Sequence, residues 1–311
     1  MSYKLLSHEV GRDARAGLLI GTTVYDAAKV TGNAAYASVL GLLQDWGKAR
    51  RTLAQAARQI EGGKSRVKGV PLKGLRLLAP VLHPGDIYCA GANYTDHMAE
   101  MARAHGEAPG PTMKELGEKP WHFIKTAKSS IVGPGAKVKL PPYSQKVDWE
   151  VELAAVIGVA AKNVPVEKAL ACVAGYTIAN DLSARDVMKR AKNPATSPFH
   201  YDWLSQKCFD GACPIGPWIV PADEIPDPQQ LALKLWVNDE LMQDSHTSKM
   251  IFTTAEQIAM LSSRVTLQPG DLVLTGTPAG VGMGRQRFLK GGDTLRLWIE
   301  GIGELTHTVT D

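Results

Sequence analysis

The sequence lacks the marks of several large protein classes. Its four cysteines, Cys89, Cys172, Cys208 and Cys213, form no CxxC pair and no zinc spacing, which argues against a zinc module or a disulfide scaffold. Cys89 and Cys172 sit in apolar, strand-like runs and read as reduced thiols in a reducing compartment. No apolar stretch is long enough to span a bilayer, and the opening MSYKLLSHEVGRD carries no signal-peptide core, so a soluble cytoplasmic protein is expected. The net charge of +4 is spread along 311 residues. With no dense Lys/Arg run and no interleaved aromatics, nucleic acid is not an expected partner. Internal repeats and low-complexity tracts are also missing. The remaining composition is that of an ordinary soluble protein with room for one large domain and a small one.

The stretch that organises the chain is KVDWEVELAAVIG, residues 146–158. As a strand, its period of two sends Asp148, Glu150 and Glu152 to one face and Trp149, Val151 and Leu153 to the other. Ala154 to Ile157 then continue apolar on both faces, as a strand entering a core does. Alternating acids also mark a solvated face or a guarded edge strand. A second acid changes the balance: Asp181 follows the apolar run Val173 to Ala179, so another strand delivers a carboxylate at its end. Carboxylates without Cys or His among them make a hard, oxygen-rich site suited to Mg2+, Mn2+ or Ca2+ and poorly suited to Zn2+.

Residues 1–75 read as a small N-terminal α/β module, with a short strand from Ala16 to Tyr25 broken at Gly21. A helical spacing over Ala34 to Ile60 ends at Gly62 and Gly63. Lys64 to Lys73, interrupted by Pro71, reads as a linker. Residues 76–311 have the texture of strands and turns. In GANYTDHMAEM, Thr95 or Asp96 is expected to cap a helix on which His97 and Glu100 share a face. That pair is either a general base with its orienting acid or a solvated surface pair. Arg103 to Lys119 is a Gly- and Pro-rich loop, either a mobile lid or a plain surface loop. A strand from Trp121 leads to Lys125, and Lys207 ends a polar stretch from Ser183. Asn238-Asp239 makes a hairpin turn, and Phe252 to Arg264 has helical spacing. GTPAGVG, after the strand Leu272 to Thr275, is not a dinucleotide fingerprint, because no GxGxxG is in frame and no helix is expected to follow. Its backbone amides and the Thr277 hydroxyl can hold a carboxylate, or the glycines can simply serve a tight turn.

Taken together, GANYTDHMAEM, DWEVELAAVIG, GYTIANDLSARD, the lysine in SQKCF and LTGTPAGVG resemble the fumarylacetoacetate hydrolase family over about residues 80 to 311. The resemblance implies an α+β, predominantly β fold, a mixed β-sandwich roll with the small N-terminal domain of many bacterial members, often dimeric. It makes Glu150, Glu152 and Asp181 ligands of Mg2+ or a similar cation, with Asp148 behind them. His97, Glu100 and Lys207 become the catalytic group, and Thr277, Gly276 and Lys125 take the substrate. The implied reaction is metal-dependent hydrolysis of a C–C bond in a small anionic 2,4-dioxo acid, giving pyruvate and a carboxylic acid. Decarboxylation or enol/keto isomerisation on the same platform is the alternative, and a catalytically silent dicarboxylate binder is an answer of another class. Two departures fall on the substrate side. Met188 stands where family members often have a Gln that contacts the 2-oxo acid, and the run Pro198 to Trp203 lengthens the segment before Lys207.

Overall fold

The strand Val151–Ile157 is buried along its whole length, and its period of two feeds two separate cores. Val151, Leu153, Ala155 and Ile157 pack with Leu235, Leu297 and Val309. Ala154 and Val156, on the opposite face, pack with Leu42, Leu53 and Leu274. The computed structural model describes residues 3–311. Its architecture is α+β and strand-rich, with the N-terminal helices packed in the core on one face of a long sheet and a second sheet, with the helix Thr254–Arg264, in the core on the other.

Val151–Ile157 pairs antiparallel with Val173–Asn180 on one side and with Leu272–Leu274 on the other. Leu272–Leu274 in turn pairs parallel with Ile87–Ala90, and His122–Lys125 closes that end of the sheet. At the other end Cys213–Pro221 joins the sheet to the N-terminal strand Lys4–Val10 through the pair Leu5↔Ile219. The strands Ala232–Val237, Glu240–His246, Thr294–Ile299, Gly303–Thr310 and Lys137–Lys139 make the five-stranded partner sheet. Asn238 and Asp239 both have positive φ, as the expected hairpin turn requires. No helix among the described residues is long and apolar enough to cross a membrane.

Several local expectations change. The N-terminal segment opens with the strand Lys4–Val10, which the apolar pattern alone did not reveal, and the region 16–25 is two strands, Asp13–Ile20 and Thr23–Asp26, paired across Gly21. The helical spacing over 34–60 is cut into Ala34–Ala37, Val39–Gln44 and Trp46–Glu61, because Ser38 caps the middle piece through the Gly41 amide. Val70–Pro71 is not free linker, since it pairs with Thr23–Asp26. Most importantly, 146–158 is not one strand. Val147–Asp148 pairs with Ser183–Ala184, and the ladder breaks at Trp149 and Glu150 before resuming at Val151.

Trp149 stabilises that break. It is fully buried, and its indole N–H donates to the Gly280 carbonyl at 3.1 Å. The indole therefore ties the interrupted strand to the glycine-rich loop. Trp149→Ala removes both the packing and the tether and is expected to destabilise the chain by about 3–5 kcal/mol, read as a lower urea midpoint at unchanged m-value.

Candidate active site and metal centre

Strand register brings the acids together. Val151 is opposite Asn180, so the next residue along, Asp181, lies beside Glu150, and its N–H donates to the Glu150 carbonyl at 3.0 Å. On the other side Ala154 pairs with Leu274, which carries Gly276 and Thr277 past Glu152 and Val151. Glu150, Glu152 and Asp181 each present a carboxylate oxygen within 4.8 Å of the others, and all three are buried. Asp148 does not join them. The break at Trp149 turns its carboxylate to the Gly282 and Met283 amides, at 2.6 and 3.0 Å, and to Arg185 at 2.9 Å.

Three cations answer the acids. Lys207 Nζ donates to Glu150 Oε2 at 2.9 Å and Asp181 Oδ2 at 2.6 Å. Lys125 Nζ donates to Asp181 Oδ1 at 2.5 Å and to the Leu182 carbonyl. Arg185 bridges Asp148 and Glu150. Burial alone raises the Glu150 pKa, but Lys207 and Arg185 outweigh it and hold the carboxyl down at about 2. The same pairing raises Lys207 against the opposing effect of its own burial. Glu152 is the exception. One oxygen accepts the Gly276 amide at 2.7 Å, while Oε1 is buried without any hydrogen-bond partner. Burial, followed by the charges of Asp181 and Glu150, pushes its pKa well above the carboxylate range. A buried orphaned carboxylate oxygen beside two other carboxylates, with oxygen donors only, fits a hard divalent cation.

The glycine-rich loop links this centre to the histidine helix Thr95–Ala104. Gly280 adopts a positive φ, and a Cβ there would lie 2.0 Å from the Met242 carbonyl oxygen, so only glycine fits. Its amide donates to Glu100, just as that of Gly276 donates to Glu152. The Thr277 hydroxyl donates to the Val151 carbonyl at 3.0 Å and accepts from Gln243. A one-turn helix, Gly282–Arg285, does follow the loop, and it aims its first amides at Asp148. Neither Thr95 nor Asp96 caps the histidine helix. Tyr94 is the N-cap, without a side-chain bond, and Asp96 is drawn away by Ser245 at 2.5 Å, Lys249 and the Ala279 amide. His97 Nδ1 lies 3.7 Å from Glu100 Oε2, close enough for charge to orient the ring but too long for a hydrogen bond.

A cavity of about 160 Å³ is lined by His97, Glu150, Glu152, Lys207 and Thr277. Asp181 and Lys125 lie behind the carboxylates, Glu100 behind His97, and Gly276 beneath Glu152. The cavity is also lined by residues to which no role was assigned from sequence, Trp121, Phe123, Arg185, Trp203 and Gln206, together with Met188. Phe199 and Tyr201 point outward, 68% and 48% exposed. Arg185 sits inside the SARD segment and Gln206 immediately before Lys207, so adjacency to known motifs was the available signal.

Behind the carboxylate cluster, Asn180 is held from two sides. Its Oδ1 accepts the Glu150 N–H at 2.9 Å, which turns its amide nitrogen to His307 Nε2 at 2.9 Å. Burial pushes the His307 pKa down to about 4, so near neutral pH the ring accepts this bond as neutral imidazole. His307→Leu leaves the Asn180 amide unpaired and frees Glu150 to shift. Its Mn2+ dissociation constant, read by calorimetry, is expected to rise about 10-fold or more, with recovery in His307→Gln, whose carbonyl can accept.

The comparisons with known proteins agree with this architecture. Residues 86–310 match the model of the fumarylacetoacetate (FAA) hydrolase C-terminal family. The human mitochondrial oxaloacetate tautomerase FAHD2B is 42% identical over 260 residues, covering 83% of this chain and 76% of the relative. Fumarylacetoacetate hydrolase from psychrophilic Exiguobacterium antarcticum superposes with a TM-score of 0.77 at 32% identity, covering 99% of both chains. Maleylpyruvate hydrolase from Sphingobium sp. SYK-6, solved with manganese(II) and pyruvate, gives 0.74 at 30% identity over 99% of this chain and 98% of that one. The relatives thus include both hydrolases and tautomerases of small acids. With its buried carboxylate triad, its histidine helix and a family match over most of its length, the chain belongs to the fumarylacetoacetate hydrolase family.

Proposed function

We propose that this chain is a divalent-metal-dependent hydrolase that cleaves the C–C bond of a small 2,4-dioxo acid of the acylpyruvate type, releasing pyruvate and a carboxylic acid. The observation that carries the reading is that His97 and the carboxylates of Glu150 and Glu152 line one cavity. A base and a cation site therefore face the same small volume. The manganese and pyruvate named for the maleylpyruvate hydrolase support a divalent cation and a 2-oxo acid here.

Mg2+ or Mn2+ bound by Glu150, Glu152 and Asp181 would act as a Lewis acid, drawing electron density from a 2-oxo acid at the site. Thr277 lines the cavity with its hydroxyl proton committed to the Val151 carbonyl, so it bounds the carboxylate end of the substrate by shape and not, as expected from sequence, by donating to it. With Nδ1 turned to Glu100, His97 has Nε2 left for the reacting proton. It takes that proton from water, whose oxygen adds to the 4-carbonyl carbon. The C3–C4 bond then breaks with its electron pair going to C3, and the imidazolium returns a proton there. Lys207 and Arg185, already committed to carboxylates, hold the platform rigid and act on the substrate as fixed positive charge.

A second reading is keto–enol tautomerisation of a small 2-oxo diacid, favoured by the identity with FAHD2B. It needs the same base but no water in the product. Turnover in 18O-labelled water separates the two, since only hydrolysis places solvent oxygen in the new carboxyl group of the released acid. Chelation is expected to abolish activity, and His97→Ala to lower kcat by about 100- to 10,000-fold. Near wild-type turnover by His97→Ala on an accepted substrate contradicts its role as the base.

A further inference from the structure

The short helix Trp203–Lys207 places Trp203, Gln206 and Lys207 at i, i+3 and i+4, on one face, and all three line the cavity. Two of them have evident work. Trp203 stacks on Phe123 with centroids 5.5 Å apart, and Lys207 bridges Glu150 and Asp181. Gln206 has none. The residue is 1% exposed, yet its Oε1 has no hydrogen-bond partner. A buried amide oxygen left unpaired is unfavourable, and native structures seldom keep one without a use.

The groups around it do not relieve this. Lys207 donates to two carboxylates and Arg185 to Asp148 and Glu150. The other lining residues include the apolar Met188, Trp121, Phe123 and Trp203. One primary amide therefore stands alone in a greasy wall facing the reacting volume. An amide offers an acceptor and two donors, which matches a hydroxyl group well. It matches an alkyl group badly, because the amide stays unpaired, and an ionised carboxylate badly, because that group has no proton to give the unpaired Oε1.

Resting on the hydrolase reading, we infer that Gln206 is a specificity-determining residue that hydrogen-bonds a neutral, hydroxyl-bearing acyl end of the 2,4-dioxo acid. Sites built to bond a hydroxyl discriminate strongly against analogues that lack it.

The test uses 5-hydroxy-2,4-dioxopentanoate and 2,4-dioxohexanoate, in which a methyl group replaces the hydroxyl at nearly constant shape. Both are measured as substrates and as competitors of oxalate on the Mn2+-loaded protein. Wild type is expected to prefer the hydroxylated compound by about 10-fold or more in kcat/KM and in affinity, and Gln206→Leu to bring the ratio near unity. Oxalate and Mn2+ affinities should stay unchanged in the variant, which a general disturbance of the site would not allow. Gln206→Met repeats the comparison if the leucine variant folds poorly. A ratio that is equal in wild type and variant, or a wild-type preference for the methyl compound, overturns the inference. Binding with the expected preference but turnover of neither compound contradicts the hydrolase reading alone.

Discussion

The structure depends on burying four carboxylates in one place. Asp148, Glu150, Glu152 and Asp181 are all at most 5% exposed, and isolated burial of any one would cost several kcal/mol. Lys125, Arg185 and Lys207 answer three of the charges with direct bonds. One negative charge is left over. It falls on Glu152, the carboxyl whose second oxygen has no partner and whose pKa rises accordingly. Such a site is relieved either by a proton or by a cation, and the second option adds Lewis acidity beside His97.

A single loop couples the two halves of the chemistry. Gly276 holds Glu152, Ala279 holds Asp96 and Gly280 holds Glu100, all through backbone amides. Trp149 in turn anchors the Gly280 carbonyl from the interrupted strand. Movement of the loop would therefore disturb the carboxylate cluster and the acid behind His97 together. Rigid placement of both on sheet-supported backbone is what positions a base against a polarised substrate.

Much of this was legible in the sequence, for definite reasons. Glu152 and Asp181 stand beside apolar runs of strand texture, and those runs do form adjacent strands whose register joins the acids. His97 and Glu100 share a helix face as their spacing requires. What could not be read depended on partners distant in sequence. Nothing local announces that the ladder breaks at Trp149, because the break answers Gly280 and the pairing with Ser183–Ala184. Asp96 does not cap the helix because Ser245, on the strand Glu240–His246, and Lys249, in the turn after it, claim its carboxylate. Arg185 and Gln206 gained roles only when the fold set them around the cavity. His307, over a hundred residues from Asn180, gave no signal at all.

The most direct test is calorimetric titration of Mn2+ into the protein near pH 7 in buffers of different ionisation enthalpy, for wild type and Glu152→Gln. The account predicts one saturable site per chain in wild type, with net proton release as the cation competes with protons for Glu152. In Glu152→Gln that release should diminish and the affinity should fall by a large factor. Absence of saturable binding in wild type, or binding indifferent to Glu152→Gln, would contradict it.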